Sequence, residues 1–429
     1  MTMSLANVRS RQWTAEIRHA RTPLFSGGFR LPRVLGLALV TTAFLLSGCG
    51  SLPRSAVPVQ LMSQAVVAGV PDARAAAGAR SAVMQRDLAR SFEQESANDF
   101  PVGPDGVVHY AHLALSGGGA NGAFGAGFLV GWTKTGRRPS FKIVTGVSTG
   151  ALMAPFAFLG AGDDDALTEF YTTTSSRNIF RVLSIIPQLL GGESLADTLP
   201  LRLLIEQQVD TEFLRRIAAA HNGGRRLYIA TADLDSQRVW IWNMGLIAAS
   251  GRLEAADLFR QVMLASASIP IAFPPVFFDV EADGRRFDEM HVDGGVGVRV
   301  FVSGGVFSFS AARAGVRGVG RQEIYVIHNG QLLPSPETTP RSLRGIGLRS
   351  FESASKSAVV GDLFRIYVLS LREKAGFNWI TIPENVELAG NELFDPVKMR
   401  ELYDVGHRRA LDASPWLTDP PGLPGGSAP

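Results

Sequence analysis

The chain has 429 residues, 46% of them hydrophobic and 19% charged, which excludes a low-complexity polymer and describes a globular protein able to bury a sizeable core. The formal charge of +3 is unevenly spread: residues 1–48 hold six arginines (Arg9, Arg11, Arg18, Arg21, Arg30, Arg33) against one acid, Glu16, so the rest of the chain carries −2 and lacks the basic surface that nucleic-acid binding needs. A single cysteine, Cys49, excludes an internal disulfide framework.

The basic N-terminal stretch leads into "VLGLALVTTAFLL", residues 34–46. An apolar run of this length fits the h-region of a secretory signal and falls short of the roughly 20 residues a helix needs to span a bilayer. It ends in Leu46-Ser47-Gly48-Cys49, which resembles the lipobox of bacterial lipoproteins. That resemblance implies a signal peptide over residues 1–48 and a lipid on Cys49. With Gly50 next, rather than the aspartate that resemblance ties to the inner membrane, it implies residence at the outer membrane, facing the periplasm. Residues 49–105 offer little apolar periodicity beyond a helix near 82–92 and read as a lipid-anchored tether with a docking helix.

Strong periodicity begins at "VVHYAHLALS". Residues 107–116 and 141–145 read as strands, and residues 122–134 and 149–159 as helices. Such alternation predicts an α/β domain over residues 106–412, with a mainly parallel sheet between helical layers in a three-layer α/β/α arrangement. Residues 201–220 show helical spacing stopped by Gly223-Gly224, and "RLYIATADL" and "IYVIHNG" read as buried strands. The Pro- and Gly-rich residues 413–429 read as a disordered tail.

Between the first strand and its helix lies "SGGGANGAFGAG". Consecutive glycines ahead of a helix leave backbone N–H groups free to converge on an anion. Gly117, Gly119 and Gly122 satisfy the G-x-G-x-x-G dinucleotide pattern, but about 20 residues on, where an acid should hold the ribose, stand Arg137 and Arg138. An oxyanion hole is the alternative use of the same N–H groups. It is favoured because the next strand runs into Gly146-Val147-Ser148-Thr149-Gly150, a G-x-S-x-G nucleophile elbow, which places loop and serine at neighbouring strand ends.

A nucleophilic serine needs a base, and none of the seven histidines stands in a triad context. The better candidate is Asp293, followed by Gly294-Gly295 at a strand end, with His291 as a supporting neighbour. No metal site is expected. Asp163-Asp164-Asp165 lack calcium-loop spacing and read as an acidic helix start, and Asp233 and Asp235 as turn residues.

Taken in order, the glycine loop, G-x-S-x-G, "ASASIPIAFPPV" (residues 265–276) and D-G-G resemble the patatin-like phospholipase family over residues 107–301, more weakly to about 410. The resemblance implies Ser148 as nucleophile and Asp293 as general base in a Ser-Asp dyad. It also implies backbone N–H groups of the loop Gly117, Gly118, Gly119, Ala120 and Gly122 as oxyanion hole, and no cofactor. Two positions depart from the family pattern: Asn121 stands at the loop's basic position and Ser116 where plant members have aspartate. The loss of that cation bears on phospholipid preference more than on hydrolysis. The expected function is a lipid acyl hydrolase of phospholipase A or lysophospholipase type acting on membrane phospholipid. Alternatives are a general carboxylesterase with the same dyad and a non-catalytic lipid-binding lipoprotein adaptor. The apolar residues around Pro187, within 180–200, read equally as a lid or acyl wall and as ordinary core.

Overall fold

Strands in the middle of the chain bury side chains on both faces, so each face requires a cover. The computed structural model describes residues 52–183, 192–314, 320–334, 336–388, 390 and 392–423. Cys49, the expected signal and most of the apolar run around Pro187 lie outside the described residues. The strands are β1 (Val66–Val67), β2 (Arg74–Ala76), β3 (Val108–Leu115), β4 (Phe141–Gly146), β5 (Arg181–Val182), β6 (Ala196–Asp197), β7 (Arg226–Asp233), β8 (Arg238–Asn243), β9 (Val276–Ala282), β10 (Arg285–Asp293), β11 (Gly320–His328) and β12 (Gly376–Thr381).

All but the β5–β6 pair join one sheet, ordered β1-β9-β10-β7-β4-β3-β11-β12, with β8 pairing both β7 and β2. From β7 to β12 neighbouring strands run parallel, as expected. The wing beyond β7 is antiparallel, because β7–β8 and β9–β10 are hairpins. Asp283-Gly284, both at positive φ (49° and 68°), forms the two-residue turn between β9 and β10 that this dipeptide favours.

Alternation along β3 divides the core: Ala111, Leu113 and Leu115 face one apolar layer, Tyr110 and Ala114 the other. Helices α2 (Gly122–Lys134), α3 (Thr149–Leu159), α6 (Ala255–Ser266) and α8 (Pro396–Leu411) fill the first layer; α1 (Ala82–Gln94) and α7 (Leu343–Glu373) cover the second. The expected α/β/α layering is therefore present. Several glycines of the 116–127 stretch serve this packing rather than the loop. A Cβ on Gly127 would lie 1.9 Å from the carbonyl oxygen of Tyr403, so α2 and α8 touch backbone to backbone.

Three expectations change. The helix read over 201–220 is two, α4 (Leu199–Gln208) and α5 (Thr211–Asn222), because Asp210 caps the second by accepting from Phe213 N–H at 2.7 Å. The stretch before α1 is more than a tether. Arg54 pairs with Asp235 and Asp288, and β1 and β2 extend the sheet through segments too short to show a period. Helix α1 packs on the second layer through Met84, Leu88 and Phe92. The tail expected to be disordered packs through residue 423. Leu417 and Trp379 exchange backbone hydrogen bonds of 2.8 and 2.9 Å, and Trp416 lies 4.9 to 5.0 Å, centroid to centroid, from Phe128, Trp132 and Tyr325. Proline and glycine density marks an irregular path there, but an indole that finds an aromatic cluster fixes it. Trp416→Ala should therefore cost about 2 kcal/mol in chemical denaturation, half the loss for a fully buried tryptophan; a disordered tail would leave the midpoint unchanged.

Candidate active site

Four strand ends meet at one edge of the sheet. Parallel pairing sets Leu115 of β3 beside Gly146 of β4, and β11 runs alongside β3 to His328. Although β10 runs the other way, it stops with Asp293 opposite Thr231 of β7, at the level of the same edge. Loops leaving these strands thus converge where α/β folds place their chemistry.

Ser148 follows β4 with φ 55° and ψ −126°, a conformation rare for a residue with a side chain and costing about 1–3 kcal/mol. Its surroundings impose it. A Cβ on Gly146 would meet the Gly150 oxygen at 2.3 Å, and one on Gly150 would meet the Leu115 oxygen at the same distance, so only glycines allow the crossing. The elbow is pinned by Val147 N–H donating to the Leu115 oxygen at 3.2 Å and by Ser148 N–H donating to Ser266 Oγ at 3.0 Å. Ser266 in turn donates to the Ala230 oxygen at 2.7 Å. Helix α3 begins at Thr149, which sets the Ser148 hydroxyl at its positive end.

Asp293 is 2% exposed, accepts from Gly295 N–H at 2.7 Å, and lies close enough to Ser148 to take a hydrogen bond from its hydroxyl. Burial raises its pKa above the ordinary carboxylate value, while the nearby Arg299 guanidinium, the Ser148 hydroxyl and Gly295 N–H pull it back. The carboxylate is therefore more basic than a solvated one yet kept ionisable by a neighbouring cation.

In the glycine loop the expected set of donors narrows. Gly117 N–H is spent on the Arg299 oxygen at 3.2 Å, and Gly122 N–H turns back onto Ala120 and Gly119. The N–H groups of Gly118, Gly119 and Ala120 donate to no acceptor among the described residues. Gly118 has no room for a side chain, since a Cβ would fall 2.1 Å from the Asn329 oxygen. Ser116, in place of an aspartate, donates to the Gly117 oxygen at 2.7 Å and accepts from Asn329 N–H at 2.8 Å, locking the loop to the end of β11. Arg137 and Arg138, which stand where a dinucleotide site would need an acid, are engaged elsewhere: Arg138 pairs with Asp164, and Arg137 donates to the oxygens of Asp412 and Ala413.

Ser148 lines two spaces. A cleft of about 760 Å³ opens over Gly118, Asp293, Arg299, Phe351 and Lys356. Ser148 and Gly119 also line a slot of about 20 Å³ walled by Leu152, Phe170, Ile179, Leu201, Phe273 and Phe394. Ile271, in the segment between these motifs, holds φ 71°, an unusual value for a β-branched residue.

His291 is a buried neutral neighbour. Burial lowers its pKa, its Nδ1 lies 2.8 Å from Thr231 Oγ1 and its Nε2 3.2 Å from Glu289. Asp233, Glu289 and His291 bring ligand-type atoms within 4.8 Å of one another, a grouping the sequence reading did not foresee. Arg74 donates to both oxygens of Glu289, and Asp233 accepts from Asp235 N–H and Ser236, so the group is satisfied as an ion-pair network. His328 lines the cleft with its pKa pushed down to about 3 by burial, Arg299 and Lys356. Arg299, Ser266 and Asn329 were not singled out from sequence; the one local signal for Arg299 is its standing alone as a charge in "GGVGVRVFV".

The patatin-like phospholipase family model matches residues 113–302. No curated protein matches the chain. Among solved structures it is similar to VipD from Legionella pneumophila, at 12% identity over 73% of this chain and 69% of that one, with a TM-score of 0.32. It is also similar to the type III effector protein ExoU, at 15% identity over 71% and 53%, with a TM-score of 0.30. The complex of SpcU with ExoU from Pseudomonas aeruginosa gives 17% identity over the same shares, with a TM-score of 0.28. The chain thus spans about half the length of the ExoU chains.

Two stability measurements test the site's construction. Gly150→Ala should cost about 3 kcal/mol, since a backbone oxygen cannot yield as a flexible side chain can. Asp293→Asn has the opposite tendency. Because folding raises the carboxyl's pKa, wild type loses stability relative to this neutral variant as pH rises through the raised value. A difference between the two denaturation midpoints that stays flat with pH would mean the carboxyl is not desolvated.

Proposed function

We propose, from the premise that residues 113–302 form a patatin-like phospholipase domain, a lipid-ester hydrolase family, that this protein cleaves carboxylic esters of membrane lipids through a Ser148–Asp293 dyad and an acyl-enzyme. One observation carries the reading. The strained Ser148 elbow lies within hydrogen-bonding reach of a buried carboxylate and beside a loop whose N–H groups at Gly118, Gly119 and Ala120 are unspent.

In this mechanism the Asp293 carboxylate takes the hydroxyl proton as Ser148 Oγ attacks the ester carbonyl carbon. The tetrahedral oxyanion is held by the loop N–H groups. Its collapse breaks the bond to the alcohol, which leaves with the proton from Asp293. Water then attacks the acyl-enzyme, gives its proton to Asp293, and a second collapse releases the carboxylic acid and returns that proton to Ser148. The neutral histidines take no part.

The apolar slot suits the acyl chain and the wide cleft the alcohol, giving the substrate a direction. A slot of about 20 Å³ admits only a few methylenes without movement of Phe170 or Leu152, which favours as second reading a carboxylesterase for short acyl groups. Dependence of kcat/KM on chain length separates the two. The lipid anchor remains a proposal from the segment ending at Cys49; among the described residues no helix is long and apolar enough to cross a membrane. Cys49→Ser should move the protein from the membrane fraction to the soluble one.

Fatty-acid release from phospholipid vesicles by the form beginning after Cys49 should fall about a thousandfold or more in Ser148→Ala and Asp293→Asn, both remaining folded. Equal activity of all three would exclude the dyad. In wild type, kcat/KM should rise with pH as Asp293 ionises. Arg299→Met, by removing the nearby cation, should move that rise to higher pH.

A further inference from the structure

The glycine loop offers no cation, since Asn121 stands at its basic position, yet the cleft has one from elsewhere. Arg299 stands six residues beyond Asp293 on the same turn, and both its backbone groups are fixed: its N–H donates to Asp362 at 2.7 Å and its oxygen accepts from Gly117 N–H at 3.2 Å. The guanidinium hangs over the dyad. A Cβ on Gly117 would lie 3.5 Å from its Nη2, and one on Gly295 would lie 2.4 Å from its Nη1. It is half-buried; among the described residues its side chain makes one hydrogen bond, a long one of 3.4 Å to the Gly295 oxygen, and the Phe351 ring lies 6.0 Å away. Among the described residues no carboxylate lies within ion-pair distance of it. The other cations of the cleft are engaged: Lys398 pairs with Glu401 at 2.9 Å, and Lys356 donates to the Leu333 oxygen at 2.8 Å. An arginine held half out of water with most of its five donors unspent is a poor structural element and a good receptor for an oxyanion.

We infer that Arg299 binds the phosphate of a glycerophospholipid, on the alcohol side of the scissile ester, and so makes this cleft select phospholipids over neutral acylglycerols. The inference rests on the hydrolase reading above for the position of the ester. The guanidinium forks onto two phosphate oxygens while the acyl chain enters the slot that Ser148 and Gly119 also line. The cation missing from the loop is thereby replaced from the turn that carries Asp293.

The test compares a short-chain soluble phosphatidylglycerol with the diacylglycerol of the same acyl chains. In turnover, the readout is the ratio of kcat/KM for the two lipids, because an effect of Arg299 exerted through Asp293 falls on both alike. Wild type should favour the phospholipid by about tenfold or more, Arg299→Met should abolish that ratio, and Arg299→Lys should restore part of it. In binding, measured by calorimetry on Ser148→Ala, the phospholipid should bind more tightly than the diacylglycerol, and Arg299→Met should remove the difference. A ratio that survives Arg299→Met, or a wild-type preference for the neutral lipid, overturns the inference while leaving the hydrolase reading intact. Arg299-dependent phospholipid binding without turnover of either lipid does the reverse. Inorganic phosphate binding to Ser148→Ala as tightly as the phospholipid, and through Arg299, would assign the site to free phosphate and overturn it as well.

Discussion

The site depends on a crossing of backbones with no room for a side chain. Between β4 and α3 the chain passes within contact distance of the end of β3, and the glycines at 146 and 150 are the only residues that permit it. The strain this leaves at Ser148 is small beside the packing that imposes it. β4 is buried along its whole length, α3 is buried on nearly every side, and Ser266 ties the turn to β7 through the Ala230 oxygen. A serine whose backbone is held this way has its direction set before any substrate arrives, which is where much of the advantage of preorganisation lies. The glycine loop is fixed from the other side by Ser116 and Asn329, so that nucleophile and donors are set by different strands of one rigid sheet.

Electrostatics impose a second constraint, opposed to stability. A carboxylate at Asp293 is wanted as a base, and burial makes it a better one by making its charge costly. Without the cation, burial would raise the carboxyl's pKa further. Arg299 supplies the compensation without a direct ion pair, which would have satisfied the carboxylate and blunted it. Burial and the same cation keep His328 neutral, so no imidazolium competes there. The proposed dyad, which contains no histidine, depends on such a balance.

Much of this was legible in the sequence for a definite reason. The loop, the elbow and the Asp-Gly-Gly turn are local demands on backbone shape that glycine announces by position, and the central strands announce themselves by being apolar throughout. Their order also fixed the expectation that loop and serine lie on one edge. What could not be read rests on contacts distant in sequence. Asn329 serves a loop 213 residues earlier, and Arg299, though only six residues past Asp293, is marked by nothing more than its isolation as a charge, which does not tell that its guanidinium acts on Asp293. Gly117 and Gly122 looked like donors because a motif does not tell which N–H groups are already spent. The two- and three-residue strands β1 and β2 fall below the length at which alternation is visible, and the tail's proline content hid an anchoring tryptophan.

The antiparallel wing explains how an α/β sheet brings a carboxylate to its serine. In a purely parallel sheet every strand reaches the active edge and continues into a helix; here the hairpin β9–β10 returns to that edge and ends there, so Asp293 meets Ser148 from the side instead of from the next crossover. A hairpin at a sheet margin is a weak foundation for a group that must be placed to a fraction of an ångström. It is braced by the chain's own N-terminal stretch: β1 pairs with β9, Arg54 pairs with Asp288, and the buried Arg74 pairs with Glu289, four residues before the base. Removing Arg74 would leave Glu289 as an uncompensated charge beside His291, a larger penalty than the pair's own contribution. The stretch that reads as a mere leash is thus part of what keeps the carboxylate in place.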